Sequence, residues 1–493
     1  MKKNLIAPLL LILIFCQAGL ASGPTAKMGT VLNSPGKITV IGQVDNTWVV
    51  LDVPDGKYKY FNVTRYKDGL TDGKTMKMDA RWEGQPYYVT AACVGNKISI
   101  FYKSFSKGNY SGTPPIYMQN YDVTTLQPIG DAQLLYDKAK DGFTGTMVDI
   151  IYSDDHSKTL ISIYGNEAKS KLMVFDKAGK KLYDKPFVFK AEEKKLVFHG
   201  FLLSNDGNIM AVAASADASW HWGYGIRNGA KVSYYFYTVD IKSGDGKTLK
   251  LTSPVSADTY TGDPVAGWLS NGNIAIAYGY YKTKTNAAVE GVHIAKYDPS
   301  FKMIAEKDIP ADPAMVKQAN EIEKASIDGF DHLKMNEIVP LEGDNFVLVT
   351  EYYFNKTTNQ SSFEYCNYGI TYRMNDKMDL VAADFIAKQQ QGVPLMDFCF
   401  SFKSCHVGND VYVLYNEDFK SKNEDGLQLY ALHLPADGSK PASTKLLRTS
   451  DHFYTSIADM VEGSNGKVFA NALLMKGFYT GNKSMKMVEV SLK

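Results

Sequence analysis

A short polar turn between two apolar strands recurs eight times along the chain, and this repeat constrains the fold more than any other feature. Asn-Gly and Asp-Gly pairs supply the positive φ that tight hairpin turns require, so each recurrence predicts a strand–turn–strand unit. Self-similarity of this kind is the sequence signature of repeat architectures. The turns are VDNT (44–47), VGNK (94–97), SDDHSK (153–158), SNDGN (204–208), SNGN (270–273), EGDN (342–345), VGND (407–410) and EGSNGK (462–467).

Two further strands follow each hairpin. After a variable loop comes a third strand that often ends in an aromatic residue with Asp or Asn, as in YMQNYDV and HIAKYDPSF, and then a fourth strand. Four antiparallel strands per unit, repeated every roughly 50 to 73 residues, are typical of a β-propeller. The sequence therefore predicts an all-β propeller of eight four-stranded blades, or of seven if the first unit is degenerate.

The two ends of the chain fit a closed ring. The eighth unit stops at its third strand (MKMVEVSLK, 485–493), and MGTVLN (28–33) lies just before the first inner strand. We expect this N-terminal strand to pair beside the last strand, because closure removes the exposed sheet edges that invite aggregation. No Pro/Ser-rich linker interrupts the repeats, so residues 22–493 are predicted to form one domain.

The SNDG turn (204–207) resembles the turn common in TolB-like propellers of bacterial exported proteins. The resemblance covers a few residues per blade. It implies a propeller architecture and assigns no function to any residue.

The first residues have the parts of a secretory signal peptide. Lys2 and Lys3 are followed by an apolar run (5–16) and by small residues that suit cleavage after Ala21. Cys16 would be the first residue of a lipoprotein, but the bulky Phe15 before it argues against that reading. No later stretch approaches the roughly 20 apolar residues of a membrane span. We expect removal of residues 1–21 and export to the periplasm or beyond it, secreted or associated with the outer membrane.

The charge balance gives no electrostatic case for nucleic acid. The chain has 54 basic and 53 acidic residues, and loss of the two leader lysines keeps it near neutrality. No P-loop, dinucleotide fingerprint or metal-ligand spacing is present, so no cofactor or metal is expected. In the mature chain, disulfides and buried free thiols are both open for the four cysteines: Cys93, Cys366, Cys399 and Cys405.

The repeat predicts that one face of the propeller carries the longer loops, and we call it the decorated face. Loops after the second and fourth strands emerge on the same side of a propeller, and those after the second strands are long here. One segment, 311–326, departs from the strand pattern: Asp312 suits a helix cap and Pro313 the first helical position. We therefore predict a short helix inserted between the fifth and sixth blades, on the decorated side.

The longest decorated loop contains WHWGYG (220–225). Its aromatic side chains offer a platform for a sugar ring or a protein side chain. The same rings suit internal anchoring, because a loop of about 18 residues needs contacts of its own. Both roles stay open for the candidate binding residues: Trp220, His221, Trp222 and Tyr224.

Three other groups of residues admit a structural interpretation as well as a functional one. Cys399, Cys405 and His406 suggest a metal site, but the alternating phenylalanines of DFCFSFKSCH (397–406) favour a half-buried strand. The pair Asp331 and His332 would suit the central funnel, although such a pair is common by chance. Asp154 and Asp155 lie in a predicted turn, where Asp favours tight backbone geometry, and they receive no catalytic role.

These features favour binding without catalysis and leave enzymatic activity open. We expect an exported scaffold that contacts a protein partner in a bacterial envelope assembly through its decorated face. The alternative is a carbohydrate-binding or carbohydrate-active propeller with its site at the central funnel, where residues from separate blades would converge.

Overall fold

The computed structural model shows an eight-bladed β-propeller, which confirms the predicted fold class and settles the number of blades. It describes residues 23–492 apart from residues 34–36, 54–58, 81, 83–84, 106–111, 166–168, 190–195, 216–231, 254–259, 282–287, 358–361, 389, 393–399, 421–424, 449–452, 464–465 and 475–483.

Each blade is an antiparallel sheet whose strands run outward from the central axis in chain order, except in blade 8. The chain begins with β1 (Thr25–Asn33), which belongs to blade 8. Blade 1 holds β2 (Lys37–Val44), β3 (Thr47–Val53), β4 (Tyr60–Lys67) and β5 (Thr71–Asp79). Blade 2 holds β6 (Gln85–Val94), β7 (Lys97–Phe105), β8 (Ile116–Asp122) and β9 (Gln133–Tyr136). Blade 3 holds β10 (Met147–Tyr152), β11 (Lys158–Tyr164), β12 (Lys169–Asp176) and β13 (Lys181–Val188), and blade 4 holds β14 (Leu196–Leu203), β15 (Ile209–Ser215), β16 (Val232–Val239) and β17 (Gly246–Ser253).

The second half of the ring repeats this arrangement with a few additions. Blade 5 holds β18 (Tyr260–Thr261) and β19 (Val265–Trp268) as a divided inner strand, with β20 (Ile274–Tyr281), β21 (Gly291–Tyr297) and β22 (Met303–Pro310). Blade 6 holds β23 (Leu333–Pro340), β24 (Phe346–Tyr352), β27 (Tyr368–Met374) and β28 (Leu380–Ala387), and an extra sheet beside it holds β25 (Phe354–Thr357), β26 (Ser362–Tyr365) and β29 (Gln391–Gly392). Blade 7 holds β30 (Lys403–Val407), β31 (Asp410–Lys420), β32 (Asp425–Leu434) and β33 (Ala442–Arg448), and blade 8 holds β34 (Phe453–Thr455) and β35 (Val461–Glu462) as its inner strand, with β36 (Lys467–Leu474), β37 (Ser484–Ser491) and β1.

The ring closes as the sequence predicts. β1 pairs antiparallel with β37, the third strand of blade 8, and so supplies its missing outer strand. At the seam with blade 1, Trp48 stacks on Phe469 with ring centroids 4.7 Å apart, and both side chains are buried. Fully burying a large apolar side chain contributes about 1.5–3 kcal/mol, so this seam is held by packing as well as by the β1–β37 pairing.

The hairpin turns adopt the backbone geometry that their residues predict. Asp45 and Asn46 both have positive φ (44° and 60°) between β2 and β3, as a type I′ turn requires. Gly95 has φ 63°, and a Cβ there would lie 2.7 Å from the Lys177 carbonyl oxygen of the next blade. The turn between β6 and β7 therefore needs glycine for its backbone angle and for its close approach to blade 3.

Short turns between the first and second strands are also tied to one another. The Asp155 amide donates to Asn205 Oδ1 at 3.0 Å, which joins blades 3 and 4. The Asn271 amide donates to Asp344 Oδ1 at 3.2 Å between blades 5 and 6, and the Glu342 amide donates to Asn409 Oδ1 at 2.9 Å between blades 6 and 7. These contacts fix the turn-bearing end of the ring. We call it the hairpin end, and the opposite end the loop end.

The inserted helix is confirmed at the loop end. α1 (Lys138–Asp141) is a single turn, whereas α2 (Pro313–Glu323) joins β22 to β23. Asp312 caps α2 by accepting from the Ala314 amide at 2.7 Å, and Pro313 occupies the first turn. Two short 3-10 turns, Asp68–Leu70 and Glu342–Asp344, complete the described helical structure.

The strand expected over 397–406 starts later than its phenylalanine pattern predicts. Phe400 and Phe402 are buried, but β30 begins at Lys403, and Ser401 has a left-handed φ of 76°. A positive φ in a non-glycine residue breaks the alternation of a strand, so side-chain burial here comes from an irregular segment. Residues 393–399, Cys399 included, lie outside the described residues.

Candidate functional site

Six ionisable side chains from four blades meet at the hairpin end of the central channel. We call them the channel cluster: Asp154 and His156 of blade 3, Glu337 of blade 6, Lys403 and His406 of blade 7, and Glu462 of blade 8. The imidazole Nδ1 of His406 lies 3.8 Å from Asp154 Oδ1, which links blade 7 to blade 3 across the channel. Residues far apart in the chain therefore converge on one small space.

The two neighbouring aspartates of the third hairpin turn have different roles. Asp155 Oδ1 accepts from the Ser153 hydroxyl at 2.7 Å and from the Ser157 amide at 3.0 Å, so its carboxylate builds the turn. Asp154 instead faces His406 and keeps 39% of its side-chain surface exposed to the channel. The turn role inferred from the sequence therefore fits Asp155, while Asp154 belongs to the channel cluster.

A backbone irregularity positions Glu337. The register of β23 against β24 shifts between Met335 and Glu337, which marks a β-bulge in the inner strand of blade 6. Bulges redirect side chains and are frequent beside functional sites. Glu337 is close enough to Lys403 to act on its charge. The bulge thus brings a carboxylate of blade 6 to the ammonium of blade 7.

The channel changes the proton affinities of these groups. Loss of hydration raises the pKa of Asp154, while the imidazoles of His406 and His156 act in the opposite direction. Burial lowers the pKa of His156 and raises that of Glu462 to about 6. Burial alone would lower the pKa of Lys403, but the carboxylates of Glu337 and Glu462 outweigh it, and the pKa is raised. The site therefore combines a firmly charged ammonium with two carboxyl groups, those of Asp154 and Glu462, whose pKa values are raised.

A cavity of about 280 Å³ adjoins the cluster between blades 3 and 6. Asp154 and Glu337 line it together with Trp268 of β19, whose indole Nε1–H is buried without a hydrogen-bond partner. A buried donor without a partner costs roughly 1–3 kcal/mol. The other lining residues are Ile151, Tyr152, Leu202, Leu203, Ser204, Asn205, Val265, Ala266, Gly267, Leu269, Ser270, Asn336, Ile338 and Pro340.

This mixture of groups suits a small polar ligand with apolar faces. Ligand pockets are mostly apolar with a few placed polar groups, and typical volumes run from about 300 to 1,000 Å³. At about 280 Å³, the cavity is slightly smaller than that range. Within the described part of the chain, no group of three or more His, Cys, Asp or Glu residues could hold a metal ion.

A second polar group lies at the loop end between blades 4 and 5. The Tyr234 hydroxyl of β16 donates to Asp263 Oδ1 at 2.6 Å. Burial, reinforced by the Asp263 charge, keeps the pKa of Tyr234 well above its usual value. Partial loss of hydration lowers the pKa of His199, on a bulge of β14, while the charge of Asp263 opposes that change.

The pair Asp331 and His332 lies just before β23, at the loop end. His332 Nε2 is 3.3 Å from Asp331 Oδ1, and its ring stacks on Phe354 at 4.6 Å between centroids. This contact attaches the start of the inner strand to β25 of the extra sheet. The pair is far along the strand from the channel cluster, which occupies the opposite end of the ring.

The other residues singled out in the sequence stand as follows. Trp220, His221, Trp222 and Tyr224 fall in 216–231, outside the described residues, and their binding role stays a prediction. Cys93, Cys366 and Cys405 are buried free thiols. Burial raises the pKa of Cys93 to about 12, which keeps its thiol protonated.

No family model and no curated protein sequence matches this chain. Among solved structures, it is similar to the polysaccharide lyase Uly1, with 10% identity and a TM-score of 0.43 over 95% of this chain and 100% of that one. The β-propeller domain of Nup133 from Vanderwaltozyma polyspora gives 11% identity and a TM-score of 0.40 over 83% and 100%. An acylaminoacyl peptidase from Pyrococcus horikoshii gives 8% and 0.38 over 79% and 49%. None of these likenesses bears on the function of this chain.

No described helix is long and apolar enough to cross a membrane.

Proposed function

We propose that the chain is an exported carbohydrate-binding propeller that holds one sugar residue in the cavity at the hairpin end of its channel. The observation that carries this proposal is the lining of that cavity. Two carboxylate residues, Asp154 and Glu337, line it together with the aromatic residues Tyr152 and Trp268. Sugars present hydroxyl groups at their edges and apolar C–H faces, so carboxylate acceptors and an aromatic surface together match them.

The rigidity of the hairpin end supports binding. A site gains affinity when its groups are already held in place, because less conformational freedom is lost on association. Ser153, Asp155 and Asn205 fix the turn that carries Asp154. Trp268 is 7% exposed and belongs to the apolar cluster between blades 4 and 5.

A glycan array followed by calorimetric titration of the hits tests this proposal. Asp154→Asn should weaken binding about tenfold or more, since a hydrogen bond to a charged group contributes roughly 1.5–3 kcal/mol. Glu337→Gln should also weaken binding, because it removes the charge of the second carboxylate in the lining. Asp131→Asn, at an exposed position of blade 2, is the matched control and should bind like the unmodified protein.

The proposal fails if no glycan binds, or if hits bind all three variants equally. The same mixtures should be analysed for cleavage products. Unchanged glycans indicate a binding protein, whereas product formation that Asp154→Asn abolishes assigns catalysis to the same cavity.

A protein partner at the loop end is the second candidate function, and we propose an envelope protein for that role. The extra sheet of β25, β26 and β29 and the helix α2 both lie at this end. An open groove of about 840 Å³ runs beside α2, lined by Pro313, Val316, Asn320 and Ile327 among others. Elements added to one side of a repeat scaffold are often its binding side.

An affinity pull-down of the tagged full chain from its native envelope tests this second function. Stoichiometric recovery of one protein, lost when residues 220–225 are deleted, supports a scaffold at the loop end. Recovery of the propeller alone from both proteins refutes it and leaves the carbohydrate proposal untouched.

A further inference from the structure

The outermost strand of each blade presents one edge on the rim of the propeller. The backbone N–H and C=O groups along such an edge can pair with another chain. Propellers keep these edges short or protected, and a Lys or Pro in the strand is a common protection. The outer strands of blades 1 to 8 are β5, β9, β13, β17, β22, β28, β33 and β1. They allow eight edges to be compared within one molecule.

All the outer strands except β28 are short or carry a Lys. The strand β9 has only 4 residues. The lysines of the longer strands are Lys27 in β1, Lys74 and Lys77 in β5, Lys181 and Lys185 in β13, Lys247 and Lys250 in β17, Lys307 in β22 and Lys445 in β33. Pairing with a further strand would bring these charges close to another chain, so the edges resist it.

The edge of blade 6 lacks this protection. β28 reads LVAADFIA over its 8 residues, without Lys, Arg or Pro, and Asp384 is its single charged residue. Leu380 and Val381 are 38% and 46% exposed, and within the described part of the chain β27 is the one strand paired with β28. A register shift at the start of β28 does not set it apart, because five other outer strands have the same shift.

We propose that β28 is the contact surface for a second copy of this chain, whose own β28 pairs with it antiparallel about a two-fold axis. Such an axis places one residue of the strand opposite its own copy. An axis at Asp384 would oppose two carboxylates, which is unfavourable. An axis at Ala383 pairs most of the strand and places Asp384 opposite Ala382. Phe385 then faces Val381, so apolar side chains meet on both sides of the axis.

This contact is independent of the proposed carbohydrate site. β28 is the outermost strand of blade 6, whereas the channel cluster lies on inner strands and hairpin turns. Pairing of two rims therefore leaves the channel of each copy open. A dimer of this kind would present two channel cavities in one particle.

Sedimentation velocity of the unmodified mature protein, from about 1 to 200 µM, tests the pairing. One strand pair is a small interface, so we expect a dimer with a Kd in the micromolar range. Val381→Lys gives this edge the protection that the other long edges have. It should raise the Kd about tenfold or more, because symmetry alters two cross-strand pairs at once.

Ile304→Lys is the matched control. Ile304 is 49% exposed and occupies the same position in β22 as Val381 does in β28, at the register shift. The edge of β22 already carries Lys307, so this variant should dimerise like the unmodified protein.

Hydrogen exchange of the unmodified protein at low and high concentration locates the contact. Amides of β28 should exchange more slowly in the dimer, while those of β22 should not change. A monomer at every concentration overturns the proposal, and so does a dimer whose protected amides lie outside β28. A dimer that a folded Val381→Lys variant leaves intact also overturns it. If that variant has a lowered melting temperature, the exchange pattern of the unmodified protein decides.

Discussion

Glu462 should make the stability of the propeller fall as pH rises through 6. Its carboxyl group lies on β35 in the channel cluster, where burial raises the pKa from 4.5 to about 6. Each pKa unit corresponds to about 1.4 kcal/mol, so this rise amounts to about 2 kcal/mol of preference for the protonated form.

The sign follows from the direction of that change. The folded state binds the Glu462 proton more tightly than the unfolded chain does, so this contribution to stability is complete below pH 4.5. It is lost as pH rises through about 6, where the folded carboxyl ionises. Glu462→Gln keeps the shape of the side chain and removes the titration. Relative to this variant, the unmodified protein should lose about 2 kcal/mol between pH 4.5 and pH 7.

Urea unfolding of both proteins at half-unit pH steps measures this difference. Glu321→Gln, at an exposed position of α2, is the matched control and should run parallel to the unmodified protein. A stability difference between Glu462→Gln and the unmodified protein that stays constant from pH 4.5 to pH 7 would refute the reasoning. A difference of opposite sign would show that Lys403 controls Glu462 more strongly than burial does.

Two other perturbations have definite expected outcomes. Lys388→Met should destabilise the fold by about 3–5 kcal/mol, because the buried Lys388 Nζ lies 2.6 Å from Glu351 Oε1 and its loss leaves a buried carboxylate without its cation. Lys388→Met combined with Glu351→Leu should recover most of this loss in urea unfolding. Trp220→Ala combined with Trp222→Ala should keep the melting temperature and weaken recovery of a protein partner in the pull-down, whereas a large fall in melting temperature would assign these rings to anchoring.

The fold could be predicted from local chemistry because a propeller repeats one local unit. Paired Asp45 and Asn46 indicate a hairpin wherever they occur, and Asp312 followed by Pro313 indicates a helix start. The extra sheet escaped prediction for the opposite reason. β26 pairs with β29, whose residues come after the two remaining strands of blade 6, so no local pattern joins them.

The channel cluster escaped prediction because convergence across blades leaves no mark on neighbouring residues. In the sequence, Asp154 lies in a turn whose geometry the neighbouring Asp155 is enough to account for. Glu337 lies in a segment that reads as an ordinary inner strand, and its bulge is visible only in the structure. Glu462 lies more than 300 residues after Asp154, yet their charges act on each other. Only the closure of the ring makes such residues neighbours, and closure is a property of the whole chain.

The two ends of the channel suit different kinds of ligand. Long loops can adapt to a large partner surface, but their freedom is lost on binding and lowers the affinity for a small one. The hairpin end has short turns joined from blade to blade, as between Asn273 and Asp344, so its side chains are held before a ligand arrives. A small site needs that fixed geometry, because a few contacts must supply all its affinity. This difference in rigidity is the reason why we propose a small ligand for the hairpin end and a protein for the loop end.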